Sequence, residues 1–285
     1  MGPTTPLDLH YFGTPRVIGA YHVETNQGLA VFDCGPTTGL AALRARLAER
    51  GVSFDDVGHL LLSHIHLDHA GGAGVLVREY PHLQVHVSEI GAPHLVDPSR
   101  LERSARRLYG DAFDVLWGEL APVPEANVHT VGDRVLGLEC FPTPGHAAHH
   151  VCYVAPDGTL YAGDAAGVSI QPSRHILPVS PPPDVDVEAW QRTIDGIEAR
   201  RADRLALVHF GVVDDPADHL ERLRRQLDLW AARVRDGASE EEFVAAARAD
   251  LAAEVDDVEP WEKAAPLWQS YSGLTRYWDK RREAA

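Results

Sequence analysis

The chain contains no run approaching ~20 consecutive apolar residues, the length a spanning helix needs, so no membrane partner is expected. Cysteine is scarce. Cys34, Cys140 and Cys152 are odd in number, widely spaced and without a Cys-x-x-Cys pair. That usage argues against a disulfide scaffold and fits a reducing, cytoplasmic compartment, with the three thiols as small buried hydrophobes. Residues 1–9 lack the basic and apolar regions of a secretory signal, in line with the same location. Basic residues are the minority, 26 Lys+Arg against 42 Asp+Glu, for a net charge of −16. Nucleic-acid binders place Lys and Arg against phosphates, so no nucleic-acid partner is expected. The chain also lacks internal repeats, low-complexity tracts and the Gly-x-Ser-x-Gly elbow of serine hydrolases.

What remains is an ordinary globular composition, 45% apolar and 24% charged over 285 residues. The length suits one large domain or two small ones. Up to Val213 short strands alternate with helices, an α/β pattern. Residues 17–22 and 29–33 are strand-like across an Asn26-Gln27-Gly28 turn, and 40–50 read as a helix stopped by Gly51. Residues 57–63 are an apolar run of buried-strand length. Residues 71–80 and 98–109 read as helices and 83–88 as a strand. Two strands are expected within 127–141 around a Gly132-Asp133 turn, and a hairpin across Pro156-Asp157-Gly158. The prolines of 178–183 mark a loop, followed by a helix over 187–201 and a strand over 205–209.

From Asp215 onward the chain reads as helix. Leu220, Leu223, Leu227, Trp230 and Val234 recur at spacings of one helical face. That stripe is expected to pack on the body of the protein, with a homodimer seam as the alternative. The acidic stretch 240–262 reads as a solvated face. Trp261, Trp268, Tyr271, Tyr277 and Trp278 read as a local core, or alternatively as a wall of the substrate pocket. The expected organisation is a catalytic unit over residues 1–213 with a helical extension over 214–285 packed on it.

The sixteen histidines are the outlier. The sharpest pattern is Ser63-His64-Ile65-His66-Leu67-Asp68-His69, after an apolar strand and before Gly71-Gly72. In an extended chain residues two apart point the same way, so His64 and His66 can grip one ion while Asp68 and His69 reach a second. Imidazole with carboxylate suits zinc, manganese or iron. Three further residues stand at strand ends: His146 in Pro142-Thr143-Pro144-Gly145-His146, Asp164 in Tyr161-Ala162-Gly163-Asp164, and His209 in Leu207-Val208-His209. Five histidines and two aspartates suffice for two adjacent metal ions with open positions.

In order, residue type and spacing these motifs resemble the metallo-β-lactamase superfamily over roughly residues 15 to 213. The resemblance implies a four-layer αβ/βα sandwich with the metals at the edge between two sheets. Carried over, His64, His66 and His146 would bind one metal, Asp68, His69 and His209 the other, and Asp164 would bridge them. Histidine at every histidine position, with Asp164 present, resembles the glyoxalase II and lactonase branches; β-lactamases proper carry cysteine at the bridging position. The tail lacks a clear basic pair for glutathione.

Two metals about 3.5–4 Å apart can share a water and lower its pKa toward neutrality. The resulting hydroxide would attack a small-molecule carbonyl, with Asp68 also accepting a proton or orienting the nucleophile. Thiolates and alkoxides leave without a strong general acid, so the expected substrate is a small ester, lactone or thioester. The alternatives are a mononuclear iron persulfide dioxygenase and a phosphodiesterase. Asp33 is expected either to hold a ligand histidine or to cap its turn. His149, His150, His175 and His94 are weaker candidates for contacting substrate.

Overall fold

The computed structural model describes residues 4–284, so the first three residues of the N-terminal reading and Ala285 of the extension lie outside it. Six strands build a first sheet in chain order: β1 (Leu7–Asp8), β2 (Gly19–Thr25), β3 (Gly28–Phe32), β4 (Val57–Leu61), β5 (Gln84–Val87) and β6 (Val128–Thr130). The pairs β1–β2 and β2–β3 are antiparallel, and the rest parallel. The second sheet holds β7 (Arg134–Val135), β8 (Leu138–Pro142), β9 (Val151–Val154), β10 (Thr159–Tyr161), β11 (Arg204–Leu207) and β12 (Gly211–Val213). Only its β10–β11 pair is parallel.

Helices α1 (Leu40–Ala48), α2 (Leu67–Ala70), α3 (Ala73–Glu79), α4 (Ala92–Val96), α5 (Ser99–Tyr109) and α6 (Phe113–Trp117) lie in the first half. Helix α7 (Val187–Ala199) makes the crossover that the parallel β10–β11 pair requires. The chain ends in α8 (Pro216–Arg235), α9 (Glu240–Ala252), α10 (Glu259–Ala264) and α11 (Leu267–Ala284). Among the described residues no helix is long and apolar enough to cross a membrane.

The expected sandwich follows from burial. Ala30, Val31 and Phe32 of β3, and Leu205, Ala206 and Leu207 of β11, are consecutive and fully buried. Alternate residues on a strand face opposite sides, so both faces are covered, one by the other sheet and one by helices. Between the sheets Phe32 meets Tyr153 at 5.9 Å and Tyr161 at 5.2 Å between ring centroids. Helix α7 is started by Asp186, which accepts from Ala189 N at 2.8 Å, and α8 by Asp215, which accepts from Asp218 N at 3.1 Å.

Three expectations change. Gly132-Asp133 is a crossover between sheets, because β6 closes the first sheet and β7 opens the second; the tight turn is Leu136-Gly137, both at positive φ. The helix expected over 71–80 is present but shorter, running Ala73–Glu79 as α3, with the separate turn α2 ahead of it. The acidic stretch is not all solvated face: Phe243, Ala247, Leu251 and Trp261 are buried beneath its carboxylates. Its first helix, α9, is started by a capping box between Ser239 and Glu242.

The α8 stripe is used up inside the chain, so it offers no dimer seam: Leu220, Leu223, Leu227, Trp230 and Val234 are buried in the same core as both sheets. The tail aromatics divide. Trp261 and Tyr277 are buried, Phe243 packs on Trp230 and Tyr271, and Trp268 stays exposed. Leu227→Ala should therefore destabilise the protein by about 2–5 kcal/mol in denaturant unfolding, whereas Leu229→Ala, at a position 40% exposed, should stay within about 0.5 kcal/mol.

Candidate metal centre

All seven predicted residues converge where strand ends of the two sheets meet. After β4 the chain bends at Ser63 and runs without regular structure to His66, which is extended at the N-cap of α2. This places His64 and His66 on one side and Asp68 and His69 in the first helical turn. His146 follows β8, Asp164 follows β10 and His209 follows β11.

Three nitrogens form the first cluster. His146 Nε2 lies 3.2 Å from His64 Nε2 and 2.9 Å from His66 Nδ1, and the last two are 2.9 Å apart. Tetrahedral zinc with Zn–N near 2.0–2.1 Å separates its ligand atoms by about 3.3 Å, close to this triangle. In the second cluster His209 Nε2 lies 3.3 Å from His69 Nε2 and 3.4 Å from Asp68 Oδ2, with His69 Nε2 3.8 Å from the same oxygen. Asp164 spans the two. Its Oδ1 is 3.3 Å from His69 Nε2 and 3.5 Å from His209 Nε2, while Oδ2 is 3.4 Å from His146 Nε2.

The outer hydrogen bonds fix which ring nitrogen four of these histidines turn to the cluster. Ser63 Oγ–H donates to Asp33 Oδ2 at 2.7 Å, so the 2.9 Å contact with His64 is made by the Nδ1–H of His64 donating to Ser63 Oγ. His69 Nδ1–H donates to Asp33 Oδ2 at 2.8 Å. His146 Nδ1–H donates to the Val179 carbonyl at 2.7 Å, and His209 Nδ1–H to the Val17 carbonyl at 2.6 Å. In the neutral form of His64, His69, His146 and His209 each outward proton leaves Nε2 facing the cluster without one, the arrangement of metal-ligating histidines. Asp164 Oδ1 is buried and accepts no hydrogen bond. A buried carboxylate oxygen without a partner is costly, and a cation satisfies it. The donor set therefore fits divalent metal.

The electrostatics divide the set: His64 and His66 are held neutral, whereas the carboxylates around His69 and His209 favour their charged forms until a cation takes the place of the proton. Burial, reinforced by neighbouring imidazoles, pushes His64 and His66 well below the usual histidine range, leaving them neutral ligands. Burial opposes charge on His69, but Asp164, Asp68 and Asp33 outweigh it and hold that imidazole well above its usual range. Burial likewise opposes ionisation of Asp164, yet His69, His209 and His146 hold its carboxyl well below the usual carboxylate range. The centre opens on one side: His66 and Asp68 are half-buried, whereas His64, His69, His146, Asp164 and His209 are buried.

Asp33 takes the first of its two expected roles: its carboxylate holds His69, while the N–H groups of its own turn, Cys34 and Gly35, bond the His69 carbonyl instead. At φ 50 it ends the extended chain after β3, and it accepts from Ser63 N at 2.8 Å, from Ser63 Oγ and from His69. Gly163, at φ 49, admits Asp164: a Cβ there would stand 2.6 Å from His150 Nε2 and from Ser63 Cβ. His150 is a buried brace. Its Nδ1–H donates to Thr143 Oγ1 at 2.7 Å, and its Nε2 accepts from Asp164 N at 3.1 Å. His149 lies buried behind the motif, near Ile65 N, where burial brings it down to about 3. His175 packs on Trp261 with Nδ1 3.4 Å from Glu254. His94 is half-exposed on α4. The three cysteines are free and buried, and burial pushes Cys140 and Cys152 up to about 12.

Sequence reading missed Tyr11 and Tyr109. Tyr109 packs on the small cluster of Leu67, Ala105 and Phe113 beside the motif and accepts from Gln269 Nε2 of α11 at 3.1 Å. Burial, then the Asp68 charge, raises both phenols above their usual range. Neither tyrosine belongs to a motif, and no spacing announces them.

The sequence model of the Metallo-beta-lactamase superfamily matches residues 13–209. Lactamase-like protein notP from Aspergillus sp. (strain MF297-2) is 30% identical over 50% of this chain, which spans only 33% of that protein's length. Atrochrysone carboxyl ACP thioesterase MYCFIDRAFT_190111 from Pseudocercospora fijiensis (strain CIRAD86) is 25% identical over 43% of this chain and 28% of its own. The crystal structure of metallo-beta-lactamase family protein TTHA1429 from Thermus thermophilus superposes with a TM-score of 0.68 at 21% identity, covering 99% of this chain and 93% of that one. The shared fold thus includes the C-terminal helices.

Replacing Asp33 by Asn puts an amide where three donors point. Asp33→Asn should weaken divalent-metal uptake by about 10–100-fold in a chelator competition. It should also lower unfolding stability by about 1–3 kcal/mol.

Proposed function

The chain belongs to the metallo-beta-lactamase superfamily, and from that premise we propose a metal-dependent hydrolase with a two-ion centre, assigned as zinc, that acts on a small ester, lactone or thioester. One observation carries this reading: buried Asp164 turns one oxygen toward His69 and His209 and the other toward His146. A carboxylate so placed between two three-residue clusters suits a bridge between two ions. His64, His66 and His146 would hold one ion, and Asp68, His69 and His209 the other.

When bound, the ions supply the Lewis acidity that ionises water near neutral pH and polarises a carbonyl. The remaining chemistry belongs to the chain. Asp68 is the carboxylate of the set with its side chain 22% exposed, so it can take a proton or orient water at the open side. Asp33, Val17 and Val179 hold the imidazole protons outward, which keeps the ligand nitrogens aimed. None of the seven residues is placed as a dedicated acid for an amine leaving group. That favours thiolate and alkoxide leaving groups, hence thioesters, esters and lactones over amides. The relative named as an acyl-carrier-protein thioesterase supports the thioester member of this class. The net charge of −16 weighs against polyanionic substrates.

Elemental analysis of purified protein should find two ions per chain, and dialysis against a chelator should abolish turnover of chromogenic esters, lactones and thioesters. Asp68→Ala should lower kcat by about 10²–10⁴-fold with the fold retained by circular dichroism. Fully loaded protein inert on the whole panel would overturn the substrate reading. A single ion with oxygen uptake on a persulfide would overturn the two-ion reading.

A further inference from the structure

The peptide group joining Val179 to Ser180 is hydrogen-bonded at both ends. Its carbonyl accepts from His146 Nδ1–H at 2.7 Å, and its N–H donates to Ser270 Oγ at 3.1 Å. Ser270 stands on α11, in the C-terminal helices, far along the chain from the histidine it reaches. His146, Ser180 and Ser270 are all buried, so water does not compete for these bonds. Gly273, one turn further on, backs the next peptide, Ser180–Pro181: a Cβ there would lie 1.9 Å from the Ser180 carbonyl oxygen. The helix therefore lies directly on the loop backbone. Ser180 turns its own hydroxyl back to the Pro178 carbonyl at 2.7 Å, which leaves the Ser270 contact to the backbone N–H.

We propose that Ser270 is a positioning residue of the metal centre, the far end of a relay that runs from His146 through the Val179–Ser180 amide to α11. Hydrogen bonds at the two ends of one amide reinforce each other. Drawing the N–H toward an acceptor increases negative charge on the carbonyl oxygen, and the low dielectric of a buried site amplifies the effect. A stronger acceptor at Nδ1–H makes Nε2 of His146 a more basic ligand and fixes its tautomer. The relay is specific to one cluster. His64 is held through Ser63 and His209 through the Val17 carbonyl, both from the N-terminal part of the chain. Gly273 serves the relay by letting α11 approach closely enough for Ser270 to reach.

The inference rests on the two-ion centre proposed above, and the experiment separates the two. Wild type, Ser270→Ala, Ser270→Thr and Gly273→Ala are compared by ring ¹H–¹⁵N spectra of the metal-free protein and by zinc titration against a chelator. The His146 Nδ1–H resonance should move upfield in Ser270→Ala and Gly273→Ala, reporting a weaker hydrogen bond. Affinity for one of the two zinc ions should fall about tenfold while the other changes less than about twofold. Ser270→Thr, which keeps the hydroxyl, should restore both readouts; a merely structural serine would weaken both ions together and leave the ring proton in place. Unchanged ring-proton resonance in Ser270→Ala and Gly273→Ala overturns the relay. Uptake of fewer than two ions by wild type overturns the two-ion reading, while the metal-free spectra still decide the relay.

Discussion

Metal-type donor atoms that face one another across a common focus are the constraint on which the structure turns. Five imidazoles and two carboxylates meet at one edge of the sandwich, and four of the imidazoles bond outward through Nδ1: His64 to Ser63 Oγ, His69 to Asp33, His209 to the Val17 carbonyl and His146 to the Val179 carbonyl. Such an inside-out arrangement is unfavourable for the side chains alone. It becomes favourable when cations stand at the focus, because each bare nitrogen and the unpartnered Asp164 oxygen then gain a partner.

The fold achieves this geometry by ending strands together. His146, Asp164 and His209 each follow a strand of the second sheet, and the Ser63–His69 turn follows a strand of the first. A strand in a packed sheet cannot drift, since β3 and β11 are buried on both faces. The residues just beyond the strand ends inherit that rigidity yet escape the ladder, so their side chains can converge. Asp33 and Gly163, both in left-handed backbone, mark where the chain bends to permit it.

The C-terminal helices are continuous with this design. Their apolar stripe joins the core shared by both sheets, and α11 reaches the site from two sides, with Gln269 on Tyr109 and Ser270 on the loop that receives His146. Helices that read as an appendage in the sequence thus contact the surroundings of the proposed ligands on one side and the Asp68 corner on the other.

The linear sequence alone determined the chemistry of the centre. Histidines two apart after an apolar run, followed by Asp68 and His69, can aim at common points because an extended chain entering a helix presents those side chains together. The same local logic exposed His146, Asp164 and His209 at strand ends, the α8 stripe and the α/β alternation. Tertiary structure decided what no spacing encodes: that Asp33 and not water holds His69, that His150 braces Asp164, that Tyr109 stands beside Asp68, and that Gly132-Asp133 crosses between sheets. The physical reason is that these contacts join residues distant in the chain through backbone carbonyls and single polar atoms. A hydrogen bond to the carbonyl of Val179 leaves no mark on the identity of residue 179, so only the folded chain reveals it.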